Sequence, residues 1–272
     1  MSELTVERAG VTLAGEEAGE GIPVVLAHGL TATRRYVVMG SRALERSGHR
    51  VVSYDARGHG QSSPAPAPGA YGYDELAADL LALLDARGID RAVLAGASMG
   101  AHTIVRLALD HGDRVAGLVA ITPAFTPGGE HEGLPRWDAL SDGLRRGRVE
   151  GFVEAYGDPG VPAAWRETVT KVLRQRLSAH AHPEAVADAL RAVPRSRAFE
   201  SWDELAELAL PCVVVASRDE ADPGHPFAIG ERYAEAIPGA ELVSEEPGAS
   251  PLAWQGGQLS KVIAGLAARV TA

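Results

Sequence analysis

Short runs in which every residue is apolar recur along this chain, and they constrain its fold more than any other feature. The clearest are Ile22–Ala27 (IPVVLA), Val115–Ile121 (VAGLVAI) and Cys212–Ala216 (CVVVA). A strand that is apolar at every position has both faces covered, the situation of a parallel sheet with helices on each side. Further β-rich runs lie at Leu4–Glu7, Val11–Ala14, Val51–Tyr54, Ala92–Ala95 and Glu241–Ser244. Helical patterns separate them, at Thr33–Ser47, Tyr73–Arg87, Met99–Asp110, Pro226–Ile237 and Gly257–Ala268. In Tyr73–Arg87 the residues Leu76, Leu80, Leu83 and Leu84 recur at helical spacing, and acidic residues occupy the first turn. Strand alternating with helix predicts right-handed crossovers and a doubly wound α/β sheet of about eight strands.

One stretch departs from the alternation. Phe125–Leu210 contains no convincing strand, only helix-like segments divided by Pro and Gly, and it holds Trp137, Phe152, Tyr156, Trp165, Phe199 and Trp202. An insertion of this length in a regular sheet is either a lid or a second helical layer. Its aromatic residues suit an apolar acyl or ring moiety of a substrate, although aromatics in helical segments usually belong to the core. The Pro/Gly run Ser62–Gly72 is too short for an interdomain linker, and 272 residues suit one large domain or two small ones.

Composition excludes several classes. With 46% hydrophobic and 23% charged residues the chain can bury a sizeable core and is not disordered. No apolar run approaches the ~18 residues of a membrane helix. The start MSELTVERAG lacks the charged-then-apolar order of a signal peptide, so a cytoplasmic protein is expected. A net charge of −10 is opposite to that of a nucleic-acid-binding domain. The expected partner is therefore a small molecule, with neither nucleic acid nor membrane. Lys171 and Lys261, the only lysines, sit in polar helical patterns and are poor Schiff-base candidates. The single cysteine, Cys212, excludes an intrachain disulfide framework and a cysteine-rich zinc site, and lies in an apolar run as a buried residue would. The nine histidines include no HExxH cluster.

Chemistry concentrates at RAVLAGASMGAHTIVRLAL, which reads strand, tight turn, helix, with the turn at Gly96-Ala97-Ser98-Met99-Gly100. A Ser at such a G-x-S-x-G turn is held in a strained conformation that exposes its hydroxyl, and the flanking glycines let backbone pack closely. The amides at the N-terminus of the following helix suit a developing oxyanion. The plainer alternative is a Ser N-cap between turn glycines.

With this elbow the chain resembles the α/β-hydrolase-fold family, from about Ile22 onward. His28-Gly29-Leu30 after PVVLA resembles the family's oxyanion turn, and Asp55-x-Arg57-Gly58-His59-Gly60-x-Ser62 after VVSY resembles its D-x-R-G-x-G-x-S turn. The resemblance implies oxyanion amides at Leu30 and Met99, and a core of residues 1–124 and 211–272 with a helical cap at 125–210. His28 is expected to brace the oxyanion turn, His59 to be structural, and His102 to point into the helix packing. No metal or organic cofactor is implied.

A serine nucleophile needs a base, and the base an orienting acid. The family order is Ser, acid, His, with the acid just past the strand that follows the cap. Here that loop reads Ser217-Arg218-Asp219-Glu220-Ala221-Asp222-Pro223-Gly224-His225-Pro226, about two residues longer than usual. Asp222 most resembles the acid, with Asp219 and Glu220 as alternatives. The histidine should follow the last strand, but Glu246-Pro247-Gly248-Ala249-Ser250-Pro251 carries none, and no histidine follows His225. Three explanations compete. His225 swings from the acid loop into the base position; Ser98 works without a full triad as a slow hydrolase; or the pocket serves binding or a non-hydrolytic step. The resemblance implies hydrolysis of a small ester, lactone or thioester through Ser98 with Asp222 as the acid, and His225 stands as the candidate base. The alternative is a hydrolase-fold protein that binds a small apolar ligand.

Overall fold

The computed structural model describes residues 1–128, 133–249 and 254–270. Strands β1 (Ser2–Arg8), β2 (Val11–Ala18), β3 (Ile22–Ala27), β4 (His49–Tyr54), β5 (Ala92–Ala97), β6 (Val115–Ile121), β7 (Cys212–Val215) and β8 (Glu241–Val243) form one sheet in the order β1-β2-β4-β3-β5-β6-β7-β8. The β1–β2 and β2–β4 pairs are antiparallel, and every pair from β4 across to β8 is parallel.

Alternate residues of the apolar runs serve opposite faces, which is why the runs are unbroken. Val24, Val51, Val93, Val119 and Val213 pack with Leu259, Ile263 and Leu266 of the C-terminal helix. Their neighbours Val25, Val52, Leu94, Leu118 and Val214 join Leu80, Leu83 and Ile104 on the other face. The helices are α1 (Ala43–Arg46), α2 (Tyr73–Ala86), α3 (Met99–Asp110), α4 (Leu134–Tyr156), α5 (Ala163–Leu177), α6 (Pro183–Ala192), α7 (Phe227–Ala236) and α8 (Gly256–Val270). Among the described residues no helix is long and apolar enough to cross a membrane.

The helix predicted over Thr33–Ser47 does not form as one element. A 3-10 turn at Arg34–Tyr36 and the single turn of α1 replace it, because Met39 (φ 48°) and Gly40 (φ 72°) adopt left-handed backbone between them. A Cβ on Gly256 would lie 1.9 Å from the Val38 carbonyl oxygen, so α8 starts in direct backbone contact with this segment.

Between β6 and β7 the described residues form only helices and turns. α4 is broken at Gly147 and Arg148, and its halves cross where Gly143 and Gly151 touch: a Cβ on either would stand within 2.4 Å of the other's carbonyl oxygen. Phe152 and Phe199 are buried in the core. Phe199 also packs against Phe125 (5.0 Å between centroids), Trp202 and Tyr233 of α7. Phe152, Phe199 and Trp202 of the insertion thus pack within or against the core.

Candidate active site

The turn between β5 and α3 holds Ser98 at φ 51°, ψ −115°. That backbone is unfavourable for a residue with a Cβ, and it persists because the surroundings enforce it. A Cβ on Gly96 would lie 2.2 Å from the Gly100 oxygen, and one on Gly100 would lie 2.1 Å from the Ala27 oxygen. Only glycine permits this approach of α3 to β5 and β3, and the approach lifts Ser98 out of the strand. The Ser98 side chain does not cap the helix. Its oxygen instead lies 2.8 Å from Nε2 of His225.

His225 in turn places Nδ1 2.8 Å from both carboxylate oxygens of Asp222. The carboxylate can only accept, so Nδ1 carries the proton and Nε2 is left to accept from the serine hydroxyl. Both partners come from one turn after β7, Asp222-Pro223-Gly224-His225, closed by the His225 amide donating to the Asp222 carbonyl (3.2 Å). Asp219 and Glu220 are not the acids that meet this imidazole; Asp219 accepts from the Ala221 amide within its own turn (2.8 Å). Burial pushes the Asp222 carboxyl up, but the hydrogen bond from His225 and the nearby Arg176 guanidinium outweigh it and hold the group below its ordinary value. Position Ser250, where a late histidine would resemble the family, lies outside the described residues.

The segment after β8 does contact this loop, through a residue that the sequence did not mark. Glu245 is buried and accepts from the Ser217 hydroxyl (3.0 Å), the Arg218 amide (2.5 Å) and Nε1 of Trp254 (2.8 Å). It ties the root of the Asp222–His225 loop to the chain beyond β8. Glu245→Ala is expected to lower kcat about tenfold with little change in KM, since small misplacements of a catalytic group are costly. It should also lower stability by about 1–3 kcal/mol, the usual penalty for orphaned buried donors. Steady-state kinetics and thermal melts of the variant check both.

Beside Ser98, the His28–Leu30 turn is braced by neighbouring histidines. His28 accepts from the Ala56 amide at Nε2 (2.9 Å) and donates from Nδ1 to the Gly29 carbonyl (2.8 Å). His59 lies 2.6 Å from the Leu30 carbonyl and 2.9 Å from that of Arg57. His180, from the insertion, accepts from the Gly60 amide (2.9 Å). Leu30 and Met99 are buried, and among the described residues neither amide donates to a protein acceptor. His102, one turn past Ser98, accepts at Nε2 from the Ala124 and Phe125 amides and bonds the Tyr73 hydroxyl at Nδ1 (2.8 Å). It fixes the start of the insertion and does not reach the hydroxyl of Ser98. An open groove of about 450 Å³ lined by Glu16, Arg34, Ser41, Asp55 and Gln61 among others includes neither Ser98 nor His225.

Burial holds His28 at a pKa of about 4 and His102 and His180 at about 3. Unfolding returns them to about 6.5, so below that pH the unfolded chain binds more protons than the native one. Stability is therefore fully present above pH ~6.5 and lost as pH falls toward 4, each ring contributing about 1.4 kcal/mol per pH unit in that window. Melting temperature should fall steadily from pH 7 to pH 5; a flat profile would contradict the assignment of neutral buried rings.

Known proteins match this chain in sequence and fold. The family profile of the alpha/beta hydrolase fold covers residues 22–189. The chain is 31% identical over 219 residues to a putative carbamate hydrolase RutD of Variovorax paradoxus, spanning 80% of each protein. It is 41% identical over 168 residues to epoxide hydrolase A of Mycobacterium tuberculosis, spanning 60% of this chain and 50% of that one. Among solved structures, a thermophilic esterase from Thermogutta terrifontis superposes with a TM-score of 0.82 at 25% identity, covering all of both chains. The chain belongs to the α/β-hydrolase-fold family and is a hydrolase of small molecules.

Proposed function

We propose that the protein is a serine hydrolase that cleaves a small ester, lactone or thioester with Ser98 as nucleophile, His225 as base and Asp222 as orienting acid. The observation that carries this reading is the continuous hydrogen-bond chain Ser98–His225–Asp222, each link 2.8 Å. His225 takes the proton from Ser98 as Oγ attacks the carbonyl, and returns it to the leaving group. The charge on the carbonyl oxygen falls to the Leu30 and Met99 amides, where two preorganised donors are worth several kcal/mol. Water then repeats the sequence on the acyl-enzyme with His225 as base. Segment 125–210 acts as a cap over this site. Contacts of His180 with Gly60, and of His102 with Ala124 and Phe125, support that role, since both anchor the insertion beside the elbow and the oxyanion turn.

The test is hydrolysis of p-nitrophenyl esters of graded acyl length by the wild-type protein and by Ser98→Ala. Turnover by the first and background rates in an equally folded second are expected. Equal turnover by both would remove Ser98 from the mechanism.

A further inference from the structure

Arg176, in the last turn of α5, lies near enough to the Asp222–His225 loop for its charge to act on Asp222. Its Nε is shut away from solvent and makes no hydrogen bond, and among the described residues no carboxylate forms an ion pair with it. Its guanidinium carbon lies 5.2 Å from the centroid of the Tyr36 ring. Tyr36 belongs to the 3-10 turn that follows the His28–Leu30 turn, so the guanidinium bridges the insertion and the oxyanion side of the site. From there its charge is felt at Asp222, while burial works against its own protonation.

Scarcity of acids does not explain this isolation, because the chain carries 36 of them against 26 basic residues. Within the same insertion Arg145 pairs with Asp188, Arg174 with Glu150 and Arg191 with Asp142. Arg174, two residues before Arg176, makes two bonds to its glutamate. A partly desolvated guanidinium with no carboxylate bonded to it is unfavourable unless another molecule supplies one. Planar donors of this kind match a carboxylate with two parallel bonds. A single cation next to the Asp222 carboxylate suits a monoanion better than a phosphate dianion.

We propose that Arg176 receives a carboxylate carried by the substrate on a short arm from the scissile carbonyl, which makes the preferred substrate an anionic ester or lactone. This rests on the assignment of the hydrolytic site at Ser98. Arg176 is then a specificity determinant, and one that acts on charge rather than on the chemical step.

Two matched pairs of probes test it: p-nitrophenyl butyrate against mono-p-nitrophenyl glutarate, with the charge on the acyl side, and phenyl acetate against 4-acetoxybenzoate, with the charge on the leaving group. In at least one pair the wild type should favour the anionic member in kcat/KM by about tenfold or more, the usual worth of a charged hydrogen-bonded pair. Arg176→Gln should erase that preference, lowering anionic-ester turnover well beyond any loss on neutral esters, and Arg176→Lys should restore part of it. Equal losses on neutral and anionic esters would mean that Arg176 serves only to keep Asp222 ionised, and would overturn the proposal. So would a wild-type preference for the neutral member of both pairs. Binding of the same probes to Ser98→Ala, with and without Arg176→Gln, reads the charge preference without turnover. If no ester is turned over yet the preference persists in binding, the hydrolytic assignment fails and the anion site stands.

Discussion

His225→Gln is expected to lower kcat for any ester the protein hydrolyses by about 10²–10⁴, the usual worth of a positioned general base. Nε2 of His225 is 2.8 Å from Ser98 Oγ, and among the described residues no other imidazole bonds that oxygen. The His225 side chain is about a quarter exposed (24%), so its loss should leave the melting temperature nearly unchanged. Asp222→Asn should act in the same direction, because an amide can present its NH₂ to Nδ1 and so favour the wrong tautomer for accepting the serine proton. The double variant should lose little more than the worse single one, since members of such a unit are not additive. Kinetics of the three variants at one pH check this. Full activity in folded His225→Gln would mean that Ser98 has another base.

Asp79→Ala should give the largest loss of stability. Arg57, from the turn after β4, and Asp79, on α2, are both about 1% exposed and joined by two 2.7 Å bonds. Removing the carboxylate leaves a buried guanidinium with, among the described residues, only the Ala70 carbonyl and the half-exposed Glu75 as acceptors. Breaking a buried pair in this way costs about 3–5 kcal/mol, which corresponds to a drop of roughly 6–15 °C in melting temperature for a chain of this size. Thermal and urea unfolding measure it, and a drop under about 2 °C would contradict the pairing. Because His59 of the same turn contacts the Leu30 carbonyl, activity should fall along with stability in this variant.

The sheet was legible in the sequence because burial on both faces leaves unbroken apolar runs such as VVLA and VVVA. The elbow was legible because the close approach at Gly96 and Gly100 admits no other residue. Thr33–Ser47 misled, since nothing in its apolar spacing reveals that Met39 and Gly40 turn left-handed to let α8 dock. Asp222 and His225 could be named as candidates, but not joined to Ser98, because their reach depends on how the lengthened loop after β7 folds back. Glu245 and Arg176 were not singled out. Each is one of several like charges in a polar stretch, and only tertiary contacts set them apart: three donors converge on the first, and among the described residues no carboxylate bonds the second.

The central claim is that Ser98 is activated by the Asp222–His225 turn, and labelling with a fluorophosphonate tests it without knowledge of the substrate. Stoichiometric modification of Ser98 is expected in the wild type, identified by mass spectrometry of the peptide. The labelling rate constant should fall by about 10² or more in His225→Gln. Equal labelling rates in the two proteins, or no modification of Ser98 in the wild type, would contradict the claim.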